Sequence, residues 1–272
     1  MPERPIGAAT SALVEEIARE AGVIALRHFR ALGSLPVEQK GHLDLVTDAD
    51  REVEDFITAR LREIFPDDGI LGEEHGGIAG HSQRIWVIDP IDGTFNFVRG
   101  GQNWAISIGL FDHCRPVFGI IHAPARALTL SGGDNVPARL NGALLPPLPF
   151  LDPAQGAVSF GMHPTIATSD RLEVMRFISD DLRMSFRSSG SATSSLIEVA
   201  LGETDGYIAM GDSCWDVMAG LPILSSMGVS HTIDWNVVDL EDKLRFACGS
   251  PALIDRVRPL LNTVAPSARL QQ

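Results

Sequence analysis

Basic residues are in short supply in this 272-residue sequence: 22 Lys and Arg stand against 35 Asp and Glu, a net charge of −13. Binding along a nucleic-acid backbone needs clustered cations, so no nucleic-acid partner is expected. An acidic chain that handles an anionic ligand needs bound cations in its site. Cysteine is also rare. Cys114, Cys214 and Cys248 lie far apart, are odd in number and form no CxxC pair, so neither a disulfide framework nor a thiolate metal site is expected. A reducing cytoplasm suits such usage. No run of about 18 apolar residues occurs, so no membrane-spanning helix is expected. The first ten residues lack the apolar stretch of a signal peptide. A Walker A loop is missing, which speaks against a kinase or a nucleotide-driven motor. Ala105-Ile106-Ser107-Ile108-Gly109 lacks the first glycine of a nucleophile elbow, which leaves a serine hydrolase unsupported.

What is present reads as a globular protein, 44% hydrophobic and 21% charged, long enough for one large domain or two fused halves. Ser11 is placed to cap a helix whose apolar residues, Leu13 to Phe29, recur at helical spacing, with Gly33 as a stop. A second helix starts around Thr47 and ends before Pro66. Ile85-Trp86-Val87-Ile88 has the length and continuity of a buried strand. Residues 104–111 and 116–122 read as a hairpin turning at Asp112 to Arg115. Further on, a helix over 191–201, a strand over 206–210 and a helix over 217–227 are expected. Pro146-Pro147-Leu148-Pro149 is the strongest internal breaker and divides the chain into halves 1–148 and 149–272. Irregular alternation of strands and helices favours a layered, mixed α/β protein.

The informative residues are acids at the ends of apolar elements. Trp86-Val87-Ile88 runs into Asp89-Pro90-Ile91-Asp92-Gly93-Thr94, so a buried strand delivers two carboxylates into a turn. Close carboxylates repel unless a cation lies between them, and such oxygen ligands suit Mg²⁺. Gly93 permits close backbone approach, and its amide with that of Thr94 suits a phosphate oxygen. Asp-Pro and Asp-Gly are also ordinary turn dipeptides, an equally weighted alternative for this string alone. Ile70-Leu71-Gly72-Glu73-Glu74 repeats the pattern, and Cys214-Trp215-Asp216 puts a carboxylate at the mouth of an apolar helix. Taken alone, Asp216 reads as an N-cap, and Asp50, in Thr47-Asp48-Ala49-Asp50, as part of a capping box. His75 and His81, beside the Gly-rich residues 76–80, read as exposed loop histidines. Tyr207, Trp235 and Phe246 read as core or interface residues.

Together these strings resemble the inositol monophosphatase family, the Mg²⁺-dependent, lithium-sensitive sugar-phosphate phosphatases. The residues that carry the resemblance are 44–50 (DLVTDAD), Gly72-Glu73-Glu74, 86–97 (WVIDPIDGTFNF), Gly190-Ser191-Ala192 and Trp215-Asp216, in the family's order. The resemblance implies the layered αβαβα sandwich of sugar phosphatases, often as a homodimer, acting on a small phosphorylated metabolite. It implies a first metal held by Glu73, Asp89 and the Ile91 carbonyl, and a second held by Asp89, Asp92 and Asp216. A third, weaker ion would sit near Glu73. Gly93 and Thr94 would meet the phosphate, Thr94 with Asp50 would orient the attacking water, and Gly190 to Ala192 would line the substrate pocket.

The sequence departs from the family in three places. Ala209 stands where an acidic residue commonly binds a ring hydroxyl of inositol. Ser213 replaces a frequent His, and Ser226-Met227-Gly228-Val229 replaces Glu-Ala-Gly-Gly. The reading is therefore a phosphomonoesterase for an inositol monophosphate or related sugar phosphate. Histidinol phosphate, fructose 1,6-bisphosphate, NADP and an adenosine bisphosphate are rival substrates for the same chemistry. A regulatory protein that keeps the fold and binds a partner is the rival of another class.

Overall fold

The computed structural model describes residues 6–34, 36–41, 44–148 and 155–263. Helix α1 (Ala8–Phe29) begins one turn earlier than expected: Gly7 is its N-cap and Ser11 is buried within its first turn. A hairpin of β1 (Val37–Gly41) and β2 (Asp44–Thr47) follows. Thr47 then caps α2 (Asp48–Ile64), its hydroxyl accepting the Ala49 N–H at 3.1 Å.

Eight strands make the first sheet: β3 (Gly69–Gly72), β4 (Gly76–Ile78), β5 (Ile85–Asp92), β6 (Ala105–Asp112), β7 (Arg115–Ala123), β8 (Leu128–Gly133), β9 (Val136–Leu140) and β10 (Ala143–Leu144). Their spatial order is β10-β9-β8-β7-β6-β5-β3-β4. A short helix, α3 (Thr94–Val98), joins β5 to β6. The turn between β6 and β7 has positive φ at both His113 and Cys114, the backbone that tight hairpins prefer.

Beyond residue 155 come β11 (Ala157–Met162), α4 (Thr168–Arg176), β12 (Ser185–Arg187), α5 (Ala192–Ala200), β13 (Gly206–Asp212), α6 (Cys214–Val217), α7 (Gly220–Ser225), β14 (Ser230–His231), β15 (Leu244–Gly249) and α8 (Pro251–Thr263). Five of these strands form a second sheet, in the order β12-β11-β13-β15-β14. Every strand of the first sheet precedes the expected proline break, and every strand of the second follows it. Pro149 itself lies outside the described residues. The single helix expected over 217–227 is split into α6 and α7. Pro222 has no N–H to give the Met218 carbonyl, so the helical hydrogen-bond ladder is interrupted at 218–219 although both residues keep helical dihedrals.

Burial sorts these elements into five layers. Trp86, Ile88, Ile106, Ile108 and Phe118 pack with α1 and α2 on the outer face of the first sheet. Val87, Ala105 and Ile121 turn the other way, onto Leu196, Val217 and Leu221 of α5, α6 and α7. Tyr207, Ala209, Phe246 and Cys248 of the second sheet close that middle layer from the far side. Ile208, Met210 and Ala247 face outward onto α4 and α8. The order is helix, sheet, helix, sheet, helix, as the resemblance implied. Because β5 is covered on both faces, its first half, residues 85–88, is apolar without alternation. Each buried aliphatic side chain there contributes about 1.5–3 kcal/mol.

Candidate metal centre and active site

A sheet irregularity decides where the acids of β5 point. Asp89 pairs with Ser107 and Asp92 with Ala105, so three steps along β5 match two along β6. Pro90 lies inside that slip, where a residue without an N–H does least harm to the ladder. In a regular strand, residues three apart face opposite sides of the sheet. The bulge instead turns Asp92 to the side of Asp89, toward the middle helical layer. There α6 brings up Asp216. One carboxylate oxygen from each of Asp89, Asp92 and Asp216 lies within 4.8 Å of the other two.

Each of these acids has its own anchor. Asp89 is 1% exposed, and its Oδ1 accepts the Ile91 N–H at 3.0 Å. Asp92 sits at the N-terminus of α5, accepting the Thr193 N–H at 2.7 Å, the Ser191 hydroxyl at 2.5 Å and the Thr193 hydroxyl. Asp216 accepts the Ser213 N–H at 2.6 Å from the third residue of α6, so it does cap-type work while facing the cluster. Burial pushes the Asp89 carboxyl well up, and Glu73, Asp92 and Asp216 push it further. Asp216 is raised by burial and by Asp212, Asp92 and Glu73. Asp92 is raised by burial although its hydrogen bonds oppose that shift. All-oxygen donors, close together and destabilised by one another, form a cluster that can hold a divalent cation such as Mg²⁺.

Glu73 stands outside the mutual 4.8 Å group but is close enough to push up both Asp89 and Asp216. Its chain segment is tied down by Glu54, a buried acid that sequence reasoning missed. Glu54 accepts the N–H groups of Glu74 at 2.9 Å and His75 at 2.8 Å, and its Oε1 lies 3.0 Å from the ring of exposed His75. A Cβ at Gly72 would come 2.2 Å from Glu54 Oε1, so this clasp needs glycine there. Glu54→Gln sets an NH₂ against one of those N–H donors and loosens residues 73–75. The half-saturating Mg²⁺ concentration for activity is expected to rise about 10- to 100-fold. A lower melting temperature with unchanged Mg²⁺ response would show Glu54 to be merely structural.

Asp50 forms the expected capping box and also lies against Thr94. Its Oδ2 accepts the Thr47 N–H at 2.8 Å and hydroxyl at 2.7 Å, as in a capping box. Oδ1 accepts the Thr94 hydroxyl at 3.2 Å, and the same hydroxyl lies 2.9 Å from the Ile91 carbonyl. Burial pushes the Asp50 carboxyl up to about 6. Gly93, at φ +88°, turns the chain from β5 into α3, whose first amides have no partner within the helix.

A cleft of about 290 Å³ opens beside the acids, lined by Asp92, Asp216, Gly190, Ser191 and Ala192 together with Phe160, His163, Tyr207 and Asp212. Tyr207, expected as core, is 1% exposed yet donates its hydroxyl to Asp212 at 2.8 Å. Asp212 was missed altogether. The signal was present, since β13 is a third apolar strand ending in an acid. Burial and Asp92 push the Asp212 carboxyl up to about 7. Ala209 is 0% exposed and lies in the middle core rather than the cleft, so a carboxylate placed there would be buried. Cys214 and Cys248 are buried thiols raised to about 12 by burial, and Cys114 is exposed. Among the described residues, no helix is long and apolar enough to cross a membrane.

The model of the inositol monophosphatase family matches residues 9–260. A Nus factor SuhB from Xylella fastidiosa is 33% identical over 242 residues, covering 87% of this chain and 86% of that protein. An inositol-1-monophosphatase from Bacillus subtilis is 35% identical over 228 residues, covering 80% and 84%. Among solved structures, the extragenic suppressor protein suhB of Bartonella henselae superposes with a TM-score of 0.85 at 26% identity, covering 95% of this chain and 100% of that one. An IMPase of Thermotoga maritima gives 0.77 at 30% identity, covering 92% and 95%.

Proposed function

Since the chain belongs to the inositol monophosphatase family and is a metal-dependent phosphoric monoester hydrolase, we propose that its substrate is a small metabolite phosphate, an inositol monophosphate or related sugar phosphate. The observation that carries this reading is the convergence of Asp89, Asp92 and Asp216 within 4.8 Å, beside the Thr94–Asp50 pair. The names of relatives span an inositol-1-monophosphatase and a fructose-1,6-bisphosphatase/inositol-1-monophosphatase, which supports the substrate class and not one ester. A Nus factor among them favours a second reading, partner binding beside catalysis. The desolvated acids have no use in that role, and hydrolysis is the reading they support.

Glu73, Asp89, the Ile91 carbonyl, Asp92 and Asp216 would hold two Mg²⁺ ions, with a third near Glu73. Bound there, the ions supply positive charge to the phosphoryl oxygens and the leaving oxygen and acidify nearby water. The chain's own residues do the rest. The Gly93 and Thr94 amides meet a phosphoryl oxygen at the start of α3. Thr94 Oγ1 accepts a hydrogen bond from the attacking water and passes its own proton toward Asp50 Oδ1. A hydroxyl is too weak a base alone, but a carboxylate with a pKa of about 6 accepts a proton near neutrality. Gly190, Ser191 and Ala192 border the space for the rest of the ester. The free cysteines suit a reducing cytoplasm, and a homodimer follows the family pattern.

The Thr94–Asp50 relay has its own test. Thr94→Ala and Asp50→Ala are each expected to lower kcat about 100-fold, and Asp50→Ala also to lose about 1 kcal/mol of stability with its cap. The double variant should be scarcely slower than either single one, because the pair acts as a unit. Additive losses in rate would refute the relay. Phosphate release from a panel of inositol, sugar, histidinol and nucleotide phosphates tests the substrate class. Preference for a nucleotide would overturn it.

A further inference from the structure

The strand β13 ends on an acid, Asp212, whose direction is set by a slip in register. Tyr207 and Ala209 face the middle layer, whereas Ile208 and Met210 face α4 and α8. In regular register, residue 212 would follow 208 and 210 outward. The register slips between Met210 and Asp212, which pair with the adjacent residues Arg245 and Leu244 of β15. Gly211 takes up the slip at φ +99°. Like the bulge in β5, this one returns an acid to the inner side. Asp212 thereby reaches the cleft and the Tyr207 hydroxyl.

The surroundings are cleared for this pair. A Cβ at Gly211 would meet the Cβ of His163 at 2.6 Å, and one at Gly161 would meet the Tyr207 hydroxyl oxygen at 2.1 Å. Tyr207 occupies Asp212 Oδ2. Among the described residues Oδ1 accepts no hydrogen bond, and Asp212 lines the cleft with Asp92 and Asp216. Of the nearby charges, Lys243 donates to the Ser213 hydroxyl at 2.6 Å rather than closing on Asp212.

Resting on the phosphatase reading, we propose that Asp212, oriented by Tyr207, accepts a hydrogen bond from a ring hydroxyl of the substrate's leaving group and so selects polyol phosphates. Tyr207 is the positioning residue and Asp212 the specificity residue. A carboxylate that accepts from a hydroxyl commonly strengthens binding about 10- to 100-fold. The interaction exists before and during phosphoryl transfer alike, so it acts on KM more than on kcat.

The test compares kcat and KM for three esters at saturating Mg²⁺: an inositol monophosphate, histidinol phosphate, and p-nitrophenyl phosphate, which carries no donor. Asp212→Ala is expected to lower the ratio of kcat/KM for the inositol ester to that for the aryl ester about 10- to 100-fold, through KM. Tyr207→Phe should shift it less, in the same direction. Asp212→Asn keeps the shape should the alanine variant fail to fold, and is expected to lower the ratio too. A fall confined to histidinol phosphate would put the grip on a cationic group and overturn the hydroxyl assignment. An equal fall for all three esters, with a higher Mg²⁺ requirement, would make Asp212 part of the metal centre and also overturn it. Failure of the unaltered protein to hydrolyse any ester would sink the phosphatase reading first, a result distinct from an unchanged ratio.

Discussion

Asp89→Asn is expected to slow phosphate release about 1,000-fold or more at saturating Mg²⁺ while raising the melting temperature of the metal-free protein. The opposite signs follow from the surroundings of Asp89. Its carboxyl is buried, pressed by Glu73, Asp92 and Asp216, and its Oδ1 accepts the Ile91 N–H. An asparagine keeps that bond through its carbonyl oxygen and turns an NH₂ toward the Glu73 carboxylate. Without metal the exchange removes repulsion and adds a donor. With metal it removes a charged ligand that no neighbour replaces. Asp92→Asn is a less clean experiment, because Asp92 also accepts from Ser191 and Thr193 and an amide would set a donor against them. Should Asp89→Asn retain more than about a tenth of the activity, Asp89 is not a ligand the reaction depends on.

Stripping the metal should also make stability depend on pH in a defined direction. The carboxyls of Asp50 and Asp212 are raised from 3.8 to about 6 and about 7, and those of Asp89, Asp92 and Asp216 are raised too. A raised carboxyl binds its proton more tightly in the folded state. Its contribution is complete below about pH 4 and is lost as pH rises through the folded value. In chelator the melting temperature should therefore fall between pH 5 and 8. His122 works the other way: burial lowers it to about 4, so its contribution is lost as pH falls below about 6.5. That term is the same with or without metal, so the difference between the two melting curves isolates the acids. At pH 8, Mg²⁺ at about a hundred times its dissociation constant should raise the melting temperature about 5–10 °C. A smaller gain at pH 5 is expected, where protons compete. Equal gains at both pH values would remove the acids from the binding site.

How much of this was legible depends on whether a signal was local. The apolar strand at 85–88, the cap at Thr47 and the hairpin turn at 112–115 are written in contiguous residues, and each stands where expected. The start of α1 was misplaced because Gly7 can cap a helix without a side chain to announce it. The break at 218–219 was readable from Pro222, but the apolar run around it outweighed the missing donor. What the sequence hid was register. Nothing in Asp89-Pro90-Ile91-Asp92 says that both acids share a face until β6 is seen to slip past them. The same holds for Gly211-Asp212, whose bulge appears only against β15. Glu54 escaped for another reason: on α2 it reads as an ordinary surface acid, and its partners are backbone amides twenty residues away.

The central claim is that these carboxylates serve phosphate-ester hydrolysis through a bound divalent cation, and one titration tests it. Phosphate release from an inositol monophosphate is followed in chelator and then at rising Mg²⁺, with Ca²⁺ in a parallel series. The account predicts no release above background in chelator and full recovery with Mg²⁺. Calcium, larger and less strict in geometry, should bind without restoring the rate. Undiminished turnover in excess chelator would contradict the account, whatever the substrate proves to be.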